Sequence, residues 1–199
     1  MTSYQKGILW NISSINPDGR IVLRHSERYF LDAIGHSNTI YEQDGNSGKP
    51  QYVLKFKDKQ ILDELINIGY TPRNSDIRHL PQDVDKAFIQ ACIELHGYCD
   101  WQTAYRRNGD KYRKVRLRIY GNKMLISQLN IAMAEFIGVT LKTPQVVTNK
   151  TYFLSYTSQD EIEHICAYFE SEPIRYSKLW DKMRDMINQY NNGGKYNGL

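Results

Sequence analysis

The 199-residue sequence has little cysteine and no pairing pattern for what it has. Cys92, Cys99 and Cys166 are too few and too scattered for a disulfide framework, and none sits in the C-x-x-C spacing of a zinc site. They read as reduced small hydrophobes. No apolar run approaches the length needed to span a bilayer. The N-terminal Met1-Thr2-Ser3-Tyr4-Gln5-Lys6 precedes only a short apolar stretch without a cleavage-type sequence, which argues against a signal peptide and for a cytoplasmic, soluble chain. The five histidines, His25, His36, His79, His96 and His164, are dispersed, and none has an Asp or Cys at ligand-like spacing, so no metal centre is expected. The net charge of +4 is mild and excludes a polybasic tail.

The charge is concentrated instead. Between Trp101 and Tyr120 stand Arg106, Arg107, Lys111, Arg113, Lys114, Arg116 and Arg118, with Asp110 as the acid among them. Within that stretch Lys114-Val115-Arg116-Leu117-Arg118-Ile119-Tyr120 alternates cation and hydrocarbon. Successive side chains of a strand point to opposite faces, so Val115, Leu117 and Ile119 enter a core and Lys114, Arg116 and Arg118 share the other face. Such a face suits a polyanion, nucleic acid foremost. It equally suits an amphipathic strand whose cations discourage edge pairing.

The order of elements recurs along the chain. The first pass predicts a helix over Tyr4–Ile12 and a turn at Asn16-Pro17-Asp18-Gly19, with its fixed φ at Pro and easy positive φ at Gly. A strand over Arg20–Arg24 follows, then a helix capped by Ser26 and running to Ile34 before Gly35. A hairpin of Thr39–Glu42 and Tyr52–Lys57 is joined by Asp44-Gly45-Asn46-Ser47-Gly48, and a helix over Lys59–Ile68 ends at Gly69. After a polar linker the second pass predicts a helix over Val84–Leu95 and a hairpin from Tyr98 through Asn108-Gly109 to Tyr120. Next come a helix over Lys123–Ile137, strands near Gln145–Thr148 and Thr151–Tyr156, and a helix over Gln159–Phe169. Each pass is αββαββα, which marks an internal duplication. Pro173 opens a further helix to about Tyr190, whose apolar residues suit packing against the body, and Asn191 onward reads as a frayed tail. The resulting boundaries are 1–75 and 84–172 for the halves, 76–83 for the linker, and 173–199 for the appended helix and tail.

This order, with the two opening helices, resembles the LAGLIDADG homing-endonuclease family in its single-chain form. The second motif helix reads Phe88-Ile89-Gln90-Ala91-Cys92-Ile93-Glu94-Leu95-His96-Gly97, and the first reads Tyr4-Gln5-Lys6-Gly7-Ile8-Leu9-Trp10-Asn11-Ile12-Ser13. Gly7 and Ala91 fall where the family needs small side chains at a close helix crossing. Ile66-Asn67-Ile68-Gly69-Tyr70-Thr71-Pro72-Arg73 resembles its exit from the first half.

The resemblance implies a duplicated α+β fold, a monomer with a pseudo-twofold saddle whose concave sheet face receives double-stranded DNA. Carried over to this sequence, the DNA-facing positions are Arg20, Arg24, Lys55 and Lys57 in one half and Gln102, Lys114, Arg116 and Arg118 in the other. Arg106, Arg107, Lys111 and Arg113 stand near the hairpin tip. The family places one metal-holding carboxylate at the foot of each motif helix, and here those positions are Ile12 and His96. Ile12 cannot bind Mg²⁺, and a neutral imidazole is a poor ligand for so hard a cation. Glu94 lies two residues early, displaced by roughly 200° around the helix.

The expectation is therefore a DNA-binding protein without nuclease activity and without a cofactor, a regulator or a phage or mobile-element accessory. Two alternatives stay open. One is an active Mg²⁺-dependent endonuclease with an unusual centre around Glu94 and His96; the other is a protein-directed inhibitor or adaptor, or an intron RNA binder, on the same scaffold.

Overall fold

The computed structural model describes residues 1–192 except 46–47, 73–74, 76–77, 171 and 173. Asn46 and Ser47 of the expected loop, Arg73 of the linker, Pro173 and the tail from Gly193 thus lie outside the described residues. The chain divides into two compact units, Met1–Leu95 and His96–Leu199.

The first unit begins with α1 (Ser3–Ile12), opened by a capping box in which Thr2 accepts from the Gln5 amide and the Gln5 side chain accepts from the Thr2 amide. Strands β1 (Ser13–Ile15) and β2 (Ile21–His25) follow, then α2 (Tyr29–Asp32), β3 (Tyr41–Asp44), β4 (Pro50–Phe56), α3 (Lys59–Asn67) and α4 (Lys86–His96), whose last residue, His96, already falls in the second unit. The turn between β1 and β2 forms at Asn16-Pro17-Asp18-Gly19, with Gly19 at φ 76° and its amide bonded to the Asn16 carbonyl at 2.9 Å. Ile21 pairs with Phe56 and Leu23 with Leu54, so these four share the buried face of the sheet.

The expected helix from Ser26 to Ile34 shrinks to the four residues of α2, which has no side-chain cap. His25 Nδ1 accepts from the Glu27 amide at 3.0 Å, so a local turn occupies the segment that Ser26 was expected to cap. Smaller shifts affect the strands: β2 starts one residue after Arg20, and β3 starts at Tyr41 rather than Thr39.

Helix α1 is buried on most of its surface, and α4 accounts for part of that. A Cβ added at Gly7 would lie 2.7 Å from the Ala91 Cβ and 3.1 Å from the Phe88 carbonyl oxygen. Only hydrogen fits there. This close crossing draws α4 into the first unit, although in the repeating order of elements it opens the second pass.

The second unit contains β5 (Gly97–Tyr105), β6 (Lys111–Gly121), α5 (Lys123–Ile137), β7 (Gln145–Val146), β8 (Tyr152–Tyr156), α6 (Gln159–Glu170) and α7 (Ser177–Asn191). Helix α5 is bounded as its signals require: Asn122 Oδ1 accepts from the Leu125 amide at 2.8 Å, and Gly138 stands at φ 81°. Val115, Leu117, Ile119, Leu154 and Tyr156 form the buried sheet face. Helix α7 starts at Ser177, later than expected, and buries Leu179, Trp180, Met183, Met186 and Ile187. The Trp180 ring lies 5.2 Å from Phe169 of α6.

Both sheets are antiparallel and four-stranded, ordered β1-β2-β4-β3 and β5-β6-β8-β7. Strand for strand this is one order used twice, so the duplication is real in topology.

Candidate nucleic-acid interface

The long β5–β6 hairpin sets the geometry of the second sheet. Its register places Tyr98 opposite Arg118, Asp100 opposite Arg116, Gln102 opposite Lys114, and Ala104 opposite Tyr112. Strand β8 adds Ser155 opposite Arg118 and Phe153 opposite Tyr120. All of these side chains share the face turned away from the buried Val115, Leu117 and Ile119. Lys114, Arg116 and Arg118 thus stand on one half-buried face, with Gln102 beside them.

That row is not composed of unpaired cations. Arg116 Nε donates to Asp100 Oδ1 at 2.9 Å, Arg116 Nη2 to Oδ2 at 2.8 Å, and Arg118 Nη2 to the same Oδ2 at 2.6 Å. Partial burial pushes the Asp100 carboxyl up, but the hydrogen bonds and charges of Arg116 and Arg118 together outweigh it and hold the group below the usual carboxylate range. The same contact, opposed by partial desolvation, raises the Arg116 guanidinium further. Aromatic rings frame the cations: Arg118 lies 5.6 Å from the centroids of both Tyr98 and Tyr120, and Lys114 lies 5.6 Å from Tyr112.

Asp100 falls just outside the Trp101–Tyr120 stretch in which the cations cluster. Numbering both strands outward from Asn108 would have set residue 100 against residue 116 and exposed the pairing. The framing tyrosines carried the same signal, since Tyr98, Tyr112 and Tyr120 share the parity of the cations.

At the hairpin tip Arg106, Arg107, Lys111 and Arg113 are exposed. The turn closes through Arg106 N to Asp110 O at 2.8 Å and Gly109 N to Arg106 O at 3.0 Å, with Gly109 at φ 89°. Lys111 and Arg113 have the parity of Val115, so they lie on the other face from Lys114.

The first sheet places its candidates differently. Arg24 and Lys55 share the face turned from Leu23 and Leu54, as the register requires, and Lys55 lies 5.2 Å from the Tyr41 ring. Val22 and Val53 share that face too and are 3% and 0% exposed. Arg20 and Lys57 both pair with Asp18, at 3.4 and 3.2 Å. A hydrogen bond from the Arg20 amide, with help from Lys57, lowers the Asp18 carboxyl.

Among the described residues, the ends of the two motif helices hold no assembled carboxylate centre. Ile12, the last residue of α1, is buried. Glu94 is buried in the first unit, where the Tyr4 hydroxyl donates to its carboxylate and Gln90 Nε2 donates at 2.8 Å. Burial and the negative charge of Glu94 drive the Tyr4 hydroxyl far above its ordinary range, which keeps it a donor. Nearby, Asn11 Nδ2 donates to the Gly7 carbonyl at 2.8 Å and to Cys92 Sγ at 3.2 Å. Burial pushes the Cys92 and Cys99 thiols up to about 12. His96 ends α4 and is followed at once by β5. A Mg²⁺ ion needs charged or polar oxygens. A buried isoleucine, an imidazole and a carboxylate already committed to Tyr4 and Gln90 do not fit it. Among the described residues no three His, Cys, Asp or Glu side chains form a group able to hold a metal, and no helix is long and apolar enough to cross a membrane.

No protein-family model matches the sequence, and no curated protein does. Solved structures match it over nearly its whole length. The LAGLIDADG meganuclease I-CpaMI bound to uncleaved DNA has a TM-score of 0.68 at 11% identity, covering 98% of this chain and 93% of that one. I-LtrWI, a LAGLIDADG homing endonuclease bound to target DNA, has a TM-score of 0.66 at 12% identity, covering 96% and 90%. I-GzeII in complex with its DNA target has 0.65 at 11%, covering 98% and 92%. At such identities the likeness is one of fold. With the strand order used twice and the Gly7–Ala91 crossing of its motif helices, the chain has the duplicated α+β fold of the LAGLIDADG homing endonucleases.

Proposed function

We propose that this chain binds double-stranded DNA as a monomer through the outward faces of its sheets, the second above all, and leaves the DNA uncut. The observation that carries the reading is the face of Gln102, Lys114, Arg116 and Arg118 in a fold whose solved neighbours are bound to DNA. Arg116, Arg118 and Gln102 have the donor groups for base edges in the major groove, and Arg106 and Arg107 at the hairpin tip supply charge for phosphates, whereas Lys111 and Arg113, on the other face of the strand, lie away from DNA bound there. Arg24 and Lys55 add positive charge from the first sheet. Arg20 and Lys57, held at Asp18, contribute less.

The absence of cleavage rests on the helix ends. Metal-assisted hydrolysis of two strands needs charge at both feet, and Ile12 offers hydrocarbon. Glu94 already serves the packing of α1 on α4. A DNA-binding protein of this kind acts as a regulator or as a phage or mobile-element accessory in the cytoplasm.

Fluorescence anisotropy with random and selected duplexes at graded salt tests the binding. Affinity should fall steeply, with a log–log slope of about −0.9 for each phosphate neutralised. A flat response, or no binding at low salt, contradicts the reading, and tighter binding of a structured RNA competitor redirects it to RNA. Incubation with a library of duplex sites and Mg²⁺ or Mn²⁺ tests the second half of the proposal. Cleavage that disappears in His96→Ala would contradict it.

A further inference from the structure

A surface built only to attract phosphate has no use for a carboxylate, yet Asp100 stands in the middle of the cationic row. It reduces the charge of Lys114, Arg116 and Arg118 from three to two and would repel a DNA backbone laid over it. What it provides in return is orientation. One edge of the Arg116 guanidinium, Nε with Nη2, is engaged on the two Asp100 oxygens. The remaining end, Nη1 with the second hydrogen of Nη2, keeps the planar fork that matches two acceptors side by side. Arg118 donates to the same carboxylate while the Tyr98 and Tyr120 rings flank it, which restricts the second guanidinium as well. Guanine is the base whose major-groove edge presents two adjacent acceptors, O6 and N7.

We propose that Asp100 is a positioning residue that converts this row from a phosphate-attracting surface into a guanine-reading one, holding Arg116 with its free fork outward and Arg118 beside it. This rests on the duplex-DNA reading above. Asp100 exchanges non-specific affinity for base preference: without it, Arg116 and Arg118 would swing toward phosphates.

The test uses the full chain as wild type, Asp100→Asn, Asp100→Glu and Arg116→Lys. Duplexes are first selected from a random pool by the wild type. The selected duplex, versions with each guanine replaced, and random duplex are then titrated by anisotropy at graded salt. The wild type should prefer guanine at one position or more. Asp100→Asn should bind random duplex more tightly, with a salt slope steeper by about one. Its guanine preference should fall by about tenfold, the discrimination typical of one bidentate contact. Asp100→Glu should restore part of that preference. Arg116→Lys keeps the charge but loses the fork, so it should lose the preference at an unchanged slope. A wild type that binds DNA, joined by Asp100→Asn or Arg116→Lys variants that keep its preference, overturns the role of Asp100 while DNA binding stands. A wild type that binds no duplex overturns DNA binding and, with it, this inference.

Discussion

Val22 and Val53 on the first sheet, and Asp100 and Gln102 on the second, occupy the faces turned from the buried cores of their units. The first pair is hydrocarbon with almost no accessible surface, set among Arg24 and Lys55. The second pair is polar, half-buried, and opposite Arg116 and Lys114. One strand order thus carries two chemistries. In the first sheet the outward face stabilises the fold and adds charge, whereas in the second it presents positioned donors. The strand order is repeated, but the chemistry of the two outward faces is not.

The largest expected effect separates the two faces directly. Arg116→Glu with Arg118→Glu sets three carboxylates together and should lower duplex affinity by more than about 100-fold. Arg24→Glu with Lys55→Glu should lower it by about tenfold, in line with charge alone. Equal losses would erase the distinction. A second contrast is in stability: Val22→Ala or Val53→Ala should cost about 1–3 kcal/mol in denaturant unfolding, since a buried side chain is truncated. Lys114→Ala should stay within about 0.5 kcal/mol. Third, Tyr120→Leu removes one of the rings beside Arg118 and should weaken binding by about 0.5–1 kcal/mol; no change would assign Tyr120 to packing alone.

The smallest effect concerns acid. Asp100 and Asp18 both have folded pKa values below the ordinary 3.8. A carboxyl lowered on folding stabilises the native state above its unfolded pKa, and that contribution is lost as pH falls through the folded value. Each unit should therefore lose stability below about pH 4. The Asp18 side chain is 47% exposed and that of Asp100 21%, so added salt should raise the Asp18 pKa in an NMR titration more than that of Asp100. Equal responses would mean that the Asp100 cluster is as open to solvent as the surface pair.

Much of this fold was legible because its signals are local. Asn122 and Gly138 bound α5, Pro-Asp-Gly marks the first turn, and strict alternation fixes the inward face of β6. The α2 segment is shorter than its sequence suggests because Ser26 resembles a cap, while an equally local bond from the Glu27 amide to His25 Nδ1, for which the sequence carries no comparable signal, turns the chain instead. The candidate site was half legible. Parity placed Lys114, Arg116 and Arg118 on one face, but the fate of their charges depended on a register partner sixteen residues away from Arg116. Glu94 shows the same limit: helical phase separated it from the expected acid position, and only packing revealed Tyr4 and Gln90 as its partners.

If the second sheet grips duplex DNA by counter-charge, reversing that charge should abolish binding. Salt-graded anisotropy of the wild type beside Arg116→Glu plus Arg118→Glu tests it most directly. The wild type should bind tightly at low salt with a steep slope, and the variant, still folded by circular dichroism, should lose nearly all binding. Wild-type affinity retained by that variant would contradict it.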